Sequence, residues 1–356
     1  MGTTVGRATI RDVARVAGVS DGTVSNTLNR PHLVTPETRD RVRQAMATVG
    51  YVPNAAARAL RVGRTRTIGL VVLDVGNPFF AEVAAGAEQT AIEAGADIAL
   101  FHTGLGEHTR EQRLLHRLAE RRLDGLIITP NDVDHPLLDT IEQGGTPVVV
   151  LAREVRSGRR SAVRSDDFLG GVLAARHLLD NGHRRLAFAG WRHDERYQGA
   201  TRTAAEAGAT LSWLGTSGAG LADGLAAGRH LTGLDPHQRP TAVFCANDLI
   251  AAGVIQVATL SGLRIPDDLA VVGFDDTDIA SAASAVELTS VRQPAADIGA
   301  AAVRVILDDT AGHRCPATDV VFEPYLMVRE SSVLGEWSRG PVADAPGSEG
   351  PIAVSA

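Results

Sequence analysis

Thr9-Ile10-Arg11-Asp12-Val13-Ala14-Arg15-Val16-Ala17-Gly18-Val19-Ser20, running into Asp21-Gly22-Thr23-Val24-Ser25-Asn26-Thr27-Leu28-Asn29, reads as two short helices joined by a tight turn. Thr9 with Asp12 three residues on fits a capping box, so the first helix is expected to start near Ile10. Ile10, Val13, Ala14 and Ala17 fall at helical spacing and give it one apolar face. Gly18 supplies the left-handed stop, and Ser20 can cap the next helix, with Asp21 placed against its positive end. Val24 and Leu28 then point inward, leaving Asp21, Gly22, Thr23, Ser25 and Asn26 outward. Thr35-Pro36-Glu37, a cap followed by proline, announces a third helix with Val42, Ala45, Met46 and Val49 on one face and Gly50 at its end. Two helices with a glycine-bearing turn, backed by a third, make an all-α helix-turn-helix unit.

Charge agrees with a DNA-docking role for this end. Residues 1–66 hold eleven arginines and four carboxylates, a balance of +7, whereas the whole chain carries −7, so the other 290 residues sum to −14. A basic module on an acidic body meets phosphates with one end and is repelled elsewhere. All 35 basic residues are arginine, which reads as a composition bias and not as a device. Gly50-Tyr51-Val52-Pro53-Asn54-Ala55-Ala56-Ala57-Arg58-Ala59-Leu60 follows, in which Asn54 can cap a six-residue helix ending in one large apolar side chain. So short a helix is unstable alone in water and is expected to form only when DNA and a partner chain supply contacts.

From Thr67 the pattern changes to apolar strands alternating with helices. Ile68–Leu73 reads as a buried strand, followed by an alanine-rich helix from about Phe79 to Ala94. Further strands are expected at Ile98–Phe101, Gly125–Thr129, Pro147–Leu151, Arg185–Ala189, Ala242–Cys245, Leu269–Gly273 and Thr289–Val291. Such runs separated by helices imply parallel sheets covered on both faces, and the length is more than one core needs, so two α/β lobes are expected, the second starting near Asp166. The expected segments are 1–52 (helix-turn-helix), 53–66 (short helix and linker), 67–335 (the two α/β lobes) and 336–356, a Gly-, Pro-, Ala- and Ser-rich tail expected to be disordered.

The N-terminal motif together with Arg121–Ile127, Asn181–Ala187, Phe244–Asp248 and Val272–Asp276, in that order, resembles the LacI/GalR family of transcription regulators over residues 8–335. The resemblance implies a periplasmic-binding-protein-like effector domain of two doubly wound sheets, with a last helix around Ala295–Leu307 and a strand near Val320–Phe322 returning to the first lobe. It places the Ser20–Asn29 helix in the major groove, with Asp21, Gly22 and Asn26 toward base edges. Glycine offers no side chain and an aspartate can only accept, so Asp21 either meets a cytosine amine or contacts no base; Asn26 suits an adenine edge. Thr9, Ser20, Thr23, Ser25 and Asn29 can hydrogen-bond phosphates and set register. The hinge helix, with Asn54, Ala57 and Arg58, would enter the minor groove and wedge Leu60 between central base pairs.

The resemblance also implies an effector, a sugar or sugar derivative, between the lobes at the carboxyl ends of the strands. Asn77-Pro78-Phe79-Phe80 resembles the family's asparagine-plus-aromatic wall, and Arg153, Arg196, Asn247, Asp275 and Gln293 carry over as polar contacts. Aromatic faces suit the apolar side of a sugar ring, and planar amides, carboxylates and guanidinium groups fork onto adjacent hydroxyls. Phe79 and Phe80 read equally as core, and Asn247 and Asp275 as helix caps. Where many members have Asp-Arg this chain has Ala152-Arg153, so the ligand is less hydroxylated, differently oriented or anionic. The aromatic that lines the second lobe has two candidates, Trp191 and Trp213.

No Gly-x-Ser-x-Gly elbow, phosphate loop or paired nucleophile points to an enzyme, and the basic helix-turn-helix speaks against a secreted solute-binding protein. No cofactor or metal site is expected: the eleven histidines form no ligand-spaced cluster, and Cys245 and Cys315 read as core thiols in a reducing compartment. Without a signal-like or eighteen-residue apolar run the chain is expected to be cytoplasmic, with no membrane association. A C-terminus without leucine heptads favours a homodimer on a pseudopalindromic operator. Whether the effector releases DNA or promotes binding stays open; the resemblance favours repression relieved by a sugar.

Overall fold

Each described α-helix of the N-terminal unit is opened by a side-chain cap written into its own sequence. The computed structural model describes residues 8–52, 65–155, 158–278, 286–310 and 316–333. Helix α1 (Ile10–Ala17) starts with the reciprocal Thr9–Asp12 cap, the Thr9 amide donating to the Asp12 carboxylate at 3.0 Å, and ends at Gly18 with φ 65°. Helix α2 (Asp21–Asn29) begins where the Ser20 hydroxyl oxygen accepts from the Thr23 amide at 3.2 Å. Helix α3 (Pro36–Val49) runs from Thr35 to Gly50. Val13, Ala14, Ala17, Val24, Val42 and Ala45 form the core, with Ile10, Leu28, Met46 and Val49 packed around it, as the apolar spacing requires. The chain divides into two compact units, Met1–Thr65 and Arg66–Ala356. Asn54, Ala57, Arg58 and Leu60, expected to form a hinge helix, together with Cys315 and the tail 336–356, lie outside the described residues.

The larger unit holds two six-stranded sheets. The first contains β1 (Thr67–Val72), β2 (Asp97–His102), β3 (Gly125–Ile128), β4 (Val148–Leu151), β5 (Ser161–Ser165) and, late in the chain, β11 (Asp319–Phe322). Its order is β11-β5-β4-β3-β1-β2 and every pair is parallel. The second contains β6 (Arg185–Gly190), β7 (Thr210–Gly215), β8 (Ala242–Cys245), β9 (Ala270–Asp275), β10 (Thr289–Arg292) and β12 (Tyr325–Met327). Its order, β12-β10-β9-β8-β6-β7, repeats the winding of the first, with β12 antiparallel to β10. Near-continuous burial along β1, β3, β4, β6, β8 and β9 follows from helices on both faces.

Helices α4 (Pro78–Glu93), α5 (His108–Ala119) and α6 (Pro136–Gln143) follow the first strands; α7 (Asp167–Asp180), α8 (Glu195–Glu206), α9 (Leu221–Gly233) and α10 (Asp248–Leu260) belong to the second lobe. The chain crosses between lobes after β5, after β10 and after β11. Helix α11 (Ala295–Thr310) then returns to the first lobe, where Gly86 and Gly299 let it touch α4: a methyl group on Gly86 would overlap the Ala296 carbonyl, and one on Gly299 the Val83 carbonyl. The segment after β12 is tied to the second sheet by side-chain bonds, Ser331 Oγ donating to Val271 O at 2.6 Å and Ser332 Oγ to Thr289 Oγ1 at 2.7 Å. Strands β5, β7 and β12 are additions to the sequence reading. β5 and β7 mix polar with apolar residues and β12 is only three residues long, and Arg164 on β5 is satisfied by Asp319 on β11 at 3.0 Å.

Candidate functional site

The candidate DNA-facing surface is the start of α2. Asp21, Gly22, Asn26 and Asn29 are exposed or partly so, Thr23 and Ser25 half-buried. Arg11 on α1 stands 3.7 Å from Asp21, so this acidic side chain shares its surface with a cation. The hydroxyls assigned to phosphates already have internal work. Ser20 and Thr23 oxygens are 2.9 Å apart, the Thr9 hydroxyl donates to Asp12 at 2.8 Å, and Asn29 Nδ2 donates to the Ser25 carbonyl at 2.8 Å. These bonds fix the surface before any ligand arrives. Among the described residues, Asn26 has no side-chain partner, which leaves both its donor and its acceptor available.

In the larger unit a cleft of about 780 Å³ lies between the lobes, at the carboxyl ends of the strands. Asn77, Phe79, Phe80, Arg153, Arg196, Asn247 and Asp275 all line it. Gln293 does not: it is buried behind Asp275, donating from Nε2 to Asp275 Oδ1 at 2.7 Å. Trp191 lines the cleft, whereas Trp213 stands apart with its indole donating to Gly190 O at 3.0 Å and Arg192 over its ring.

The centre of the cleft is an arginine among carboxylates. Arg196, in the first turn of α8, lies over the Phe274 ring at 3.9 Å and donates to Asp167 at 3.0 Å and to the Ala246 carbonyl at 2.5 Å. Asp194, which caps α8, stands 3.8 Å from Arg196 Nε. Burial alone would lower the Arg196 pKa, but Asp167, Asp194 and Asp275 outweigh it and hold the guanidinium firmly charged. Burial raises the Asp275 carboxyl to about 7, against the pull of Arg196 and the hydrogen bonds from Gln293 and Asn77. It raises Asp194 too. The local fold brings these groups together because Gly171 on α7 and Gly199 on α8 have no side chain. A methyl on Gly171 would overlap the Arg196 carbonyl oxygen, so the helix bearing Asp167 clasps the one bearing Arg196.

Asn77 closes the arrangement from the first lobe. Its Oδ1 accepts from the Phe79 amide at 3.0 Å, and its Nδ2 reaches Asp275 Oδ2 at 3.5 Å across the cleft. Phe79 and Phe80, edge to face at 5.2 Å, are both core and wall. Asn247 is likewise both cap and wall: Oδ1 accepts from the Ile250 amide at 2.9 Å and Nδ2 donates to Ala219 O at 2.8 Å. Asp275 caps no helix among the described residues, and its φ of 103° is a strained conformation of the kind concentrated at functional sites. Ala152 has φ 53°, a left-handed conformation that asparagine and aspartate tolerate better than alanine. The Arg196 partners Asp167 and Asp194 escaped the sequence reading; the one available signal was the pair of acids at each helix start, Asp166-Asp167 and Asp194-Glu195.

A fold that holds small molecules between two lobes, joined to a capped helix-turn-helix unit, is that of a ligand-responsive DNA-binding regulator. Residues 9–54 match the model of bacterial regulatory proteins of the lacI family, and residues 175–332 that of a periplasmic binding protein-like domain. The HTH-type transcriptional repressor PurR of Photobacterium profundum is 33% identical over 332 residues, covering 91% of this chain and 98% of that protein. Among solved structures, a transcriptional regulator CelR–cellobiose complex is 33% identical with TM-score 0.67, over 91% of this chain and all of the other (100%). A lac repressor dimer bound to operator and the anti-inducer ONPF is 25% identical with TM-score 0.80, over 92% of this chain and 100% of that one. The chain belongs to the LacI family of bacterial transcriptional regulators, and it is a regulator and not an enzyme. No helix among the described residues is long and apolar enough to cross a membrane.

Proposed function

We propose that the chain is a repressor whose affinity for a pseudopalindromic operator is set by a neutral sugar or sugar derivative held in the cleft. The observation that carries the ligand class is the lining: among the described residues nine acidic side chains stand against four guanidinium groups, and the six acids other than Asp194, Glu195 and Asp275, whose pKa burial raises, still outnumber the cations. Such a wall repels an anion. It suits hydroxyls, which can donate to Asp275 and accept from Arg196, Asn77 and Arg153, while Phe79, Phe80 and Trp191 cover C–H faces. Of the alternatives left by Ala152, the anionic ligand is therefore the one the charge balance disfavours. Asn247 holds the wall and Gln293 orients Asp275. The related CelR bound to cellobiose is consistent with this class.

On DNA, Asn26 reads a base edge, Asp21 and Gly22 lie against the groove, and Thr9, Ser20, Thr23, Ser25 and Asn29 set register on phosphates. The segment bearing Asn54, Ala57, Arg58 and Leu60 forms the minor-groove hinge. A homodimer working in the cytoplasm presents two such units to half-sites one turn apart. Exposed Val75, Ile92 and Leu100, on and beside the edge strand β2, favour the first lobe as the dimer face. Sugar binding shifts the angle between lobes, and with it the spacing of the paired DNA units. A ligand acts only through unequal affinity for the two arrangements.

Thermal unfolding of the full chain against a panel of neutral sugars, sugar phosphates and nucleosides tests the ligand class. A ligand at about a hundred times its dissociation constant stabilises by about 2.7 kcal/mol. A shift with a neutral sugar is expected; a shift confined to sugar phosphates would overturn the charge argument. Leu60→Ala is expected to abolish tight operator binding while sparing weak nonspecific binding, measured by titrating both DNAs. Equal loss of both would sink the wedge.

A further inference from the structure

We infer that Arg11 of α1 and Asp21 of α2 act as one guanine-reading unit, Arg11 meeting the base edge and Asp21 positioning it; this rests on the proposal that the start of α2 faces the major groove. Arg11 Nε stands 3.7 Å from the Asp21 carboxylate, and both side chains are open to solvent, 89% and 57% exposed. An ion pair so exposed adds little to stability, so the fold itself gives no reason for it. The carboxylate of α1 is spent elsewhere: Asp12 accepts from the Thr9 amide at 3.0 Å and the Thr9 hydroxyl at 2.8 Å, and lies 3.4 Å from Arg15. Among the described residues, Asp21 is therefore the acid that faces Arg11, and the two terminal nitrogens of Arg11 have no hydrogen-bond partner.

Between the two helices lies a shallow depression lined by Thr9, Ile10, Arg11, Asp21, Gly22 and Ser25. Gly22 keeps it open. Its φ is not positive, and a methyl group there would meet only the Ser20 hydroxyl oxygen, at an ordinary 3.6 Å. Neither backbone nor packing requires a glycine, which weakens a helix relative to alanine. Ile10 and Gly22 have no polar side-chain group and the Thr9 hydroxyl is held by Asp12, so hydrogen bonding in the depression falls to Arg11, Asp21 and Ser25. With Nε turned toward the acid, the terminal nitrogens of Arg11 form a fork of donors. Guanine presents the matching pair of acceptors, O6 and N7, in the major groove. Adenine presents a donor in place of O6, which leaves one arm of the fork unpaired. A phosphate is the poorer partner, because an ion pair has little net attraction for it and the Asp21 carboxylate repels it.

Selection of duplexes from a randomised library by the full chain, and then by its Arg11→Ala and Asp21→Asn variants, tests this. The selected half-site is expected to carry one guanine that the unaltered chain prefers over adenine by about 5–150-fold, measured by fluorescence anisotropy on duplexes differing at that position. Arg11→Ala is expected to erase that preference and to keep the preferences at other positions, which also shows that the unit is folded. Asp21→Asn is expected to weaken the same preference and no other. A uniform loss on both duplexes for Arg11→Ala, with the slope of log affinity against log salt shallower by about 1, would make Arg11 a phosphate contact and overturn the inference. Asp21→Asn changing a different position, or none, overturns it too, and in each of these cases the groove-facing reading stands. Enrichment of no sequence by the unaltered chain overturns both.

Discussion

Arg196 is the residue on which the cleft depends, since three acidic side chains are tolerable in one buried place only while a cation sits among them. Arg196→Ala is expected to lose ligand binding and to cost about 3–5 kcal/mol of stability by leaving carboxylates uncompensated, measured by denaturant titration. Arg196→Lys keeps the charge and loses the fork, so it is expected to retain most of the stability but not the affinity. Asp275 sets a pH dependence. Under the sugar reading proposed above, its carboxyl, raised to about 7 by burial against Arg196, Gln293 and Asn77, accepts ligand hydroxyls best when charged, so ligand affinity is expected to fall as pH drops through that value. Asp275→Asn is expected to flatten this profile. Its stability effect has the opposite sign: between the unfolded value of 3.8 and the folded value of about 7 the native state holds a proton that the unfolded chain has released, so lowering pH over that window stabilises the fold. Ala152→Gly relieves a left-handed alanine and is expected to stabilise by up to about 1 kcal/mol, read as a small rise in Tm.

At the scale of elements, helix ends and buried strands are legible because their causes are local. Thr9, Gly18, Ser20, Thr35 and Gly50 each act within a few residues, and the apolar runs of β1, β6, β8 and β9 announce burial on both faces. Strand β5 is not legible, because its Arg164 is made acceptable by Asp319, 155 residues later. The same holds for the site. That Phe79, Arg196 and Asp275 would meet followed from family likeness, but the pairing of Arg196 with Asp167 depends on how α7 clasps α8, and the retreat of Gln293 behind Asp275 on how β10 lies beside β9, which no local pattern records. Gly171→Ala tests that clasp. The added methyl meets backbone and not a movable side chain, so a loss of about 1–3 kcal/mol is expected, with weakened sugar binding from displacement of Arg196.

At the scale of the molecule, two lobes share three crossings and meet across the cleft through Asn77 and Asp275, so a ligand seated there touches both bodies at once. That is the physical basis for coupling: a molecule favouring one angle between lobes biases the arrangement of whatever each lobe carries. Coupling free energies between such sites are typically about 1–3 kcal/mol, a change of about 5–150-fold in affinity. The decisive measurement is the operator affinity of the full chain, by fluorescence anisotropy on a duplex selected by this protein, with and without a sugar shown by calorimetry to occupy the cleft. The account predicts a change in dissociation constant within that range, abolished by Arg196→Ala while sugar-free operator binding is retained. A sugar that fills the cleft and leaves operator affinity unchanged would contradict it.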